Sequence, residues 1–371
     1  MDRLAPRARL RVLHCPEAVG GHAPQLARAE RALGVAARSV ALEGNPYGYA
    51  CDETLSAAGE GAFARELKRF PLLWRALREF DVVHFNFGSS IFPSRGYRHP
   101  LLGRLYRATA GLADLPLLKR AGKKIFVTYQ GDDARQGDYC RAHFDIHFAH
   151  EVDPDYYPAG SDAAKRWAIG RFAAYADGIY ALNPDLLHVL PARARFLPYA
   201  NVDPEEWQPA PAAPSGPLKL LHAPSHRRVK GTSYIVAAVE RLKKEGAAVE
   251  LLLVEDLTRE AARSLYERAD LVVDQLLAGW YGGLAVEAMA LGKPVLAYLR
   301  EADLKFIPEQ MRKDLPVVNA TPASVYEVLK SLATQHRAAL PGIGMAGRRF
   351  VERWHDPRKV AASVIEDYER A

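Results

Sequence analysis

Short apolar and β-branched runs alternate with stretches of helical periodicity along most of the 371-residue chain. In the first half RLRVLHC, SVALEG, DVVHFNF, KKIFVTY, GIYALN and RFLPYA read as strands, and in the second half LKLLHAP, VELLLVE, LVVDQ and PVLAY do the same. Such alternation predicts an α/β class with parallel, doubly wound sheets covered on both faces by helices. Between the halves lies DPEEWQPAPAAPSGP, residues 203–217, whose prolines and small residues suit neither a helix nor a central strand. The expected organisation is therefore a first domain at 1–202, a linker at 203–217 and a second domain at 218–355. The two halves look alike in architecture, without a short internal repeat.

Two sheets joined by one linker leave a cleft between the carboxyl ends of their strands, where open α/β sheets bind ligands. The loops CPEAVGGHAP, NFGSSIFPSRG, YQGDDARQG, APSHRRVKGT and LLAGWYGG each follow a predicted strand and are the candidates to line it.

Composition narrows the partners. The chain is 49% hydrophobic with a net charge of +6, and residues 1–124 carry 20 Lys/Arg against 11 Asp/Glu. No run reaches the roughly 20 apolar residues of a spanning helix, and no apolar leader precedes a cleavage site, so a cytoplasmic location is expected. FARELKRFPLLWRALREF, residues 63–80, mixes cations with Phe, Leu and Trp. It reads either as a helix on an anionic membrane surface or as a solvated face beside a core, with Pro71 expected to interrupt a single long helix. No RNP motif, zinc-finger spacing or long basic stripe with stacking aromatics supports a nucleic-acid partner. Cys15, Cys51 and Cys140 are widely spaced and form no CxxC, which argues against a disulfide scaffold or a zinc module.

GWYGGLAVEAMALGKPV, residues 279–295, concentrates the chemistry. Gly282 and Gly283 follow the strand LVVDQ and precede strong helix formers, an arrangement that turns free backbone N–H groups and a helix dipole toward an anion. Phosphate is the natural guest, and glycine lets the backbone approach its oxygens. Glu287, about one turn into the helix, suits a pair of ribose hydroxyls or faces solvent. Trp280 and Tyr281 either contact a donor sugar or pack the loop.

This stretch resembles the donor-binding signature of GT-B nucleotide-sugar glycosyltransferases, especially the retaining glycosyltransferase family four, in which two acids stand eight residues apart. Here the second is Glu287 and the first falls on Gly279. HAPSHRRVKGT is similar to the family's diphosphate-gripping loop: Lys230 matches its lysine, while His226, Arg227 and Arg228 all remain candidates for its arginine. Ala200–Asp203 resembles the family's N-G-V-D linker, and VTYQGDDAR its H-G-x-D loop with Gln130 at the histidine. AVGGHA, with Gly20, Gly21 and His22, resembles its amino-terminal glycine loop.

The resemblance implies two Rossmann-like domains facing across a cleft, the first binding an acceptor and the second a nucleotide diphosphate sugar. A helix within 356–371 would pack back on the first domain. It also implies a retaining transfer without metal or cofactor, in which Lys230, one of Arg227 or Arg228, and the N–H groups near Gly282, Gly283 and Leu284 neutralise the leaving diphosphate. His226 and Tyr281 complete the expected donor side. Gln130 can hydrogen-bond the transferred sugar. An inverting enzyme would instead need a base, for which Asp132, Asp133, His22 or His84 are candidates, the aspartates reading equally well as helix caps. The acceptor is a small molecule, a glycan or a lipid-linked compound.

Three competing readings stand beside this one. CRAHFDIHFAHEVD places His143 and His147 at i, i+4, a workable zinc pair if both lie on a helix, with Cys140, Asp145, His150 and Asp153 nearby. A nucleotide-sugar epimerase shares the architecture, and a non-catalytic partner of a transferase would explain Gly279.

Overall fold

A computed structural model describes residues 9–45, 48–57, 59–92, 110–210, 216–255, 257 and 259–371. The start of the chain, part of the 87–96 loop and the middle of the 203–217 linker lie outside them.

Two all-parallel sheets organise the chain. The first contains β1 (Arg11–Cys15), β2 (Ala36–Glu43), β3 (Glu53–Ser56), β4 (Val82–Asn86), β5 (Lys124–Tyr129), β6 (Gly178–Ala181) and β7 (Arg195–Phe196), in the order β3-β2-β1-β4-β5-β6-β7. The second contains β8 (Leu218–His222), β9 (Val249–Leu253), β10 (Leu271–Val273), β11 (Val295–Ala297) and β12 (Val318–Asn319), in the order β12-β11-β10-β8-β9. β4 and β10 are buried along their whole length, as parallel strands covered on both faces must be. The four-residue β3 and the two-residue β12 had no apolar run to announce them.

Strand order reverses between β1 and β4 in one sheet and between β8 and β10 in the other, so each sheet offers a crevice at its carboxyl edge. The first part of the linker is docked. Val202 and Trp207 sit in the core of the second domain, and the Arg348 guanidinium donates to the carbonyls of Pro204 and Ala290, both at 2.8 Å. The last helix, Pro357–Arg370, crosses back to the first domain. There Val360, Ala361, Val364 and Tyr368 join the core around Leu26 and Ala27, and Lys124 Nζ donates to the Tyr368 carbonyl at 2.7 Å.

One expectation about local structure fails. The helix Ala62–Glu79 runs through Pro71 without interruption. Proline there removes one N–H from the ladder, but Pro71 is exposed, and Leu72 and Ala76 anchor the helix to the core. Among the described residues, no helix is long and apolar enough to cross a membrane.

Candidate functional site

A cleft of about 440 Å³ lies between the two carboxyl edges. All five predicted loops reach it: Val19 and Gly20, Phe87, Gln130 and Arg135 from the first domain, and Ala223 to Ser225, Lys230, Gly282 and Gly283 from the second. Its size is that of a small-molecule site.

The second-domain wall is built on the helix Gly283–Ala290, which is apolar on almost every side and therefore buried. Glu287 is its one charged residue; it is buried and lines the cleft, not the solvent. The N–H groups of the helix's first turn have no partner in the helical ladder, which leaves those of Gly283 and Leu284 at the cleft. The Gly282 N–H is committed elsewhere, donating at 2.5 Å to the buried carboxylate of Asp274. The other oxygen of Asp274 receives the Lys230 ammonium at 3.1 Å, and Gln275 Oε1 receives it at 2.6 Å. A Cβ on Gly282 would stand 3.3 Å from Lys230 Nζ, so glycine is what lets the ammonium lie against the start of the helix. Asp274 and Gln275 were missed in the sequence, although they stand at the carboxyl end of the LVV run where such residues belong.

The other basic candidates are not part of the cleft lining, although Arg227 is paired with Glu255, which is. Arg227 pairs with Glu255 at 2.5 Å, Arg228 reaches across to Asp153 at 2.9 Å, and His226 accepts from the Val229 N–H as the cap of its own short helix. The second cation of the lining is Arg135, from the first domain. It is buried and held by Asp185 at 2.6 Å.

Across the cleft, Gly20 and Gln130 face each other: a Cβ on Gly20 would lie 3.7 Å from Gln130 Oε1. Gly20 and Gly21 both have positive φ, of 64° and 71°, which turns the chain into the helix His22–Ala32. The main chain of Gln130 is fixed at both ends. Its N–H donates to Asp133 at 3.0 Å and its carbonyl accepts from Asn183 Nδ2 at 2.5 Å, while its own Nε2 has no protein partner. Asp133 thus holds the loop, accepting from Gly131 N as well, and burial pushes its carboxyl up to about 6.

Four further candidates leave the cleft. Asp132 is engaged by the Tyr156 hydroxyl and lines a separate hollow with Tyr157 and Lys165. His84 is wholly buried between Tyr368 and Thr128, at 2.5 and 2.7 Å, and desolvation holds it well below the ordinary histidine range. His22 is buried just behind Gly20, accepts from Ala200 N at 3.1 Å, and is pushed down to about 3 by desolvation. Tyr281 is buried, stacked on Trp280 with ring centroids 4.3 Å apart, and its hydroxyl pairs with His355 at 2.8 Å. Both aromatics pack the loop.

The histidine-rich segment also finds a different role. Its helix ends at His143 and Phe144 is extended, so His143 and His147 do not share a helical face. His147 instead accepts from the Ala149 N–H at 3.0 Å. Among the described residues no group of three His, Cys, Asp or Glu side chains converges as a metal site. What the segment does is tie the domains together. Phe148 packs on Leu277 and Ala278, and Arg300 lies over the Phe144 ring at 3.7 Å, donates to the Ile146 carbonyl at 3.0 Å and pairs with Asp303 at 2.8 Å. Gly279, where the first acid was looked for, has φ of 79°, and a Cβ there would meet Arg300 Nη1 at 2.6 Å.

No protein-family model matches the chain, and no curated protein matches it significantly. Solved structures do. Sucrose-phosphate synthase from Thermosynechococcus elongatus superposes with a TM-score of 0.62 at 14% identity, covering 98% of this chain and 99% of that one. Anabaena Alr3699/HepE, in complex with UDP and glucose, gives 0.62 at 11% identity, covering 98% and 100%. A putative UDP-N-acetylglucosamine 2-epimerase from Listeria monocytogenes gives 0.52 at 10% identity, covering 96% and 95%. With two parallel-sheet domains meeting at such a cleft, the chain has the GT-B fold of nucleotide-sugar glycosyltransferases.

Proposed function

We propose that the protein is a glycosyltransferase that moves a sugar from a nucleoside diphosphate to an acceptor hydroxyl, of the kind found in glycosyltransferase family four. The observation that carries this reading is the convergence of Lys230, the Gly282–Gly283 helix start and Glu287 on one wall of the cleft, opposite Gly20 and Gln130. Glu287 would take the ribose hydroxyls. Lys230 and the first-turn N–H groups would take the diphosphate, with Val254, Leu257, Ala262 and Tyr266 offering an apolar recess for the base.

In the transfer, the bond from the anomeric carbon to the diphosphate oxygen breaks and the acceptor oxygen bonds that carbon, while the acceptor proton passes to the departing phosphate. Retention follows if both groups use one face of the sugar. Neither Asp132 nor His84 lines the cleft, Asp133 and His22 accept from the N–H groups of Gly131 and Ala200, and the lining carboxylate Glu255 is paired with Arg227, which favours that course over one needing a protein base. Lys230 supplies preorganised charge where the leaving group develops it, and no metal is assigned a part. The acceptor would bind on the first-domain side, Gln130 contacting the sugar between them.

The epimerase reading draws on the shared two-domain architecture. Incubating the protein with UDP-sugars alone, then with a panel of hydroxyl acceptors, separates the two: transfer needs the acceptor, whereas a new epimer appearing without one would establish the alternative.

A further inference from the structure

The helix Ala62–Glu79 has two apolar faces where one would suffice. Leu72 and Ala76 are buried against the first sheet. On the opposite side Phe63, Leu67, Phe70, Trp74 and Leu77 recur at spacings of three and four residues, which aligns them in one stripe along the helix. Phe63 is 78% exposed, Phe70 and Trp74 are 59% and Leu67 is 50%. Here Phe70, Pro71, Leu73, Trp74 and Leu77 form a continuous shallow groove. A contiguous apolar stripe on a surface helix marks an interaction site.

Charge identifies what covers it. Arg78 lies over the Trp74 ring at 4.5 Å, so a cation stands at the edge of the stripe. Arg65, Lys68, Arg69 and Arg75 lie toward the body of the domain and pair with Glu43, Glu60, Glu66 and Glu53. Phe92 contacts Phe70 edge-on beside the stripe. The helix itself holds five Lys/Arg against two Glu. An apolar stripe on a net-positive helix, with a cation at its edge, fits a surface that is apolar below and anionic above.

We infer that the outer face of this helix docks the first domain on an anionic lipid bilayer, with Phe63, Leu67, Phe70 and Trp74 entering the headgroup boundary and Arg78 on the lipid phosphates. The contact involves no cleft residue and stands whether or not the protein is a transferase.

Sedimentation of the full chain with vesicles tests it. Vesicles of phosphatidylglycerol and phosphatidylcholine should carry the protein down, and pure phosphatidylcholine should carry much less. Phe70→Ser/Trp74→Ser should lower the partition coefficient at least ~10-fold, and Arg78→Glu by a few-fold in a way that added salt removes. Both alter exposed residues, so the thermal midpoint should stay near that of the parent. Equal sedimentation of parent and double variant would overturn the proposal. So would concentration-dependent dimerisation, abolished by the double variant in ultracentrifugation without any vesicle binding, since the stripe would then belong to a second copy.

Discussion

The Asp274 carboxylate accepts from the Gly282 N–H at 2.5 Å with one oxygen and from the Lys230 ammonium at 3.1 Å with the other. One buried acid thus sets both the glycine turn and the cation beside it, and the proposed anion site of the second domain is preassembled. Fixed donors of this kind need no reorganisation as charge develops on a leaving group. Lys230→Ala should therefore lower turnover ~10²–10³-fold in a protein that still folds, as measured by nucleoside diphosphate release and circular dichroism. Near-normal turnover would remove Lys230 from the diphosphate site.

On the facing wall, Gln130 is placed by Asp133 and Asn183 and leaves only its side-chain amide for a ligand. Loss of one neutral hydrogen bond is worth about 1 kcal/mol. Gln130→Ala should weaken the intact nucleotide sugar several-fold while the free nucleoside diphosphate binds as before. Equal loss for both ligands would put Gln130 at the nucleotide instead.

Gly279 and Arg300 form a second dependence. A Cβ at 279 needs a left-handed backbone, costing ~1–2 kcal/mol, and also displaces a guanidinium held by Asp303 and the Ile146 carbonyl. In denaturant unfolding, Gly279→Ala should cost about 3 kcal/mol in the parent and about 1 kcal/mol in an Arg300→Ala background. Additive costs would show that the two residues do not share the space.

Buried His22 gives the stability a pH signature. Its folded pKa of about 3 lies below the ordinary 6.5, so the neutral form imposes no penalty above pH 6.5 and a growing one as pH falls toward 3. At pH 5 the cost is about 2 kcal/mol. Asp133 acts in the opposite sense, because a carboxyl raised to about 6 favours the folded state as pH falls. Comparison with His22→Asn, which keeps an acceptor for Ala200 N, isolates the histidine: between pH 7 and 5 the variant should lose about 2 kcal/mol less than the parent. Parallel curves would contradict the buried neutral assignment.

The chain order of strands, glycine loops and linker was readable because each depends on local rules: apolar runs for covered parallel strands, glycine where φ is positive, proline where regular structure ends. The same rules put all five loops at one cleft. What escaped was set through space. His84 looked like a base, yet its place between apolar neighbours in the central strand DVVHFNF was the signal of a core histidine. Arg227 and Arg228 matched a motif but found Glu255 and Asp153, residues far along the chain. Arg135 took a place in the cleft that spacing did not assign. The loss of an acid at Gly279 could be seen in the sequence, but its companion Arg300 and the strap at Phe144 to Phe148 could not, because that contact exists only once the domains meet.

Glu287 and the helix start at Gly282–Gly283 are proposed to hold a nucleoside diphosphate. Calorimetric titration of the protein and of Glu287→Ala with UDP, GDP, ADP, dTDP and CMP addresses it directly. One diphosphate should bind in the micromolar range and weaken at least ~10-fold in the variant, the loss expected for hydrogen bonds to a charged group. Heat from none of the five, or equal affinity with and without the Glu287 carboxylate, would remove the nucleotide from this wall of the cleft.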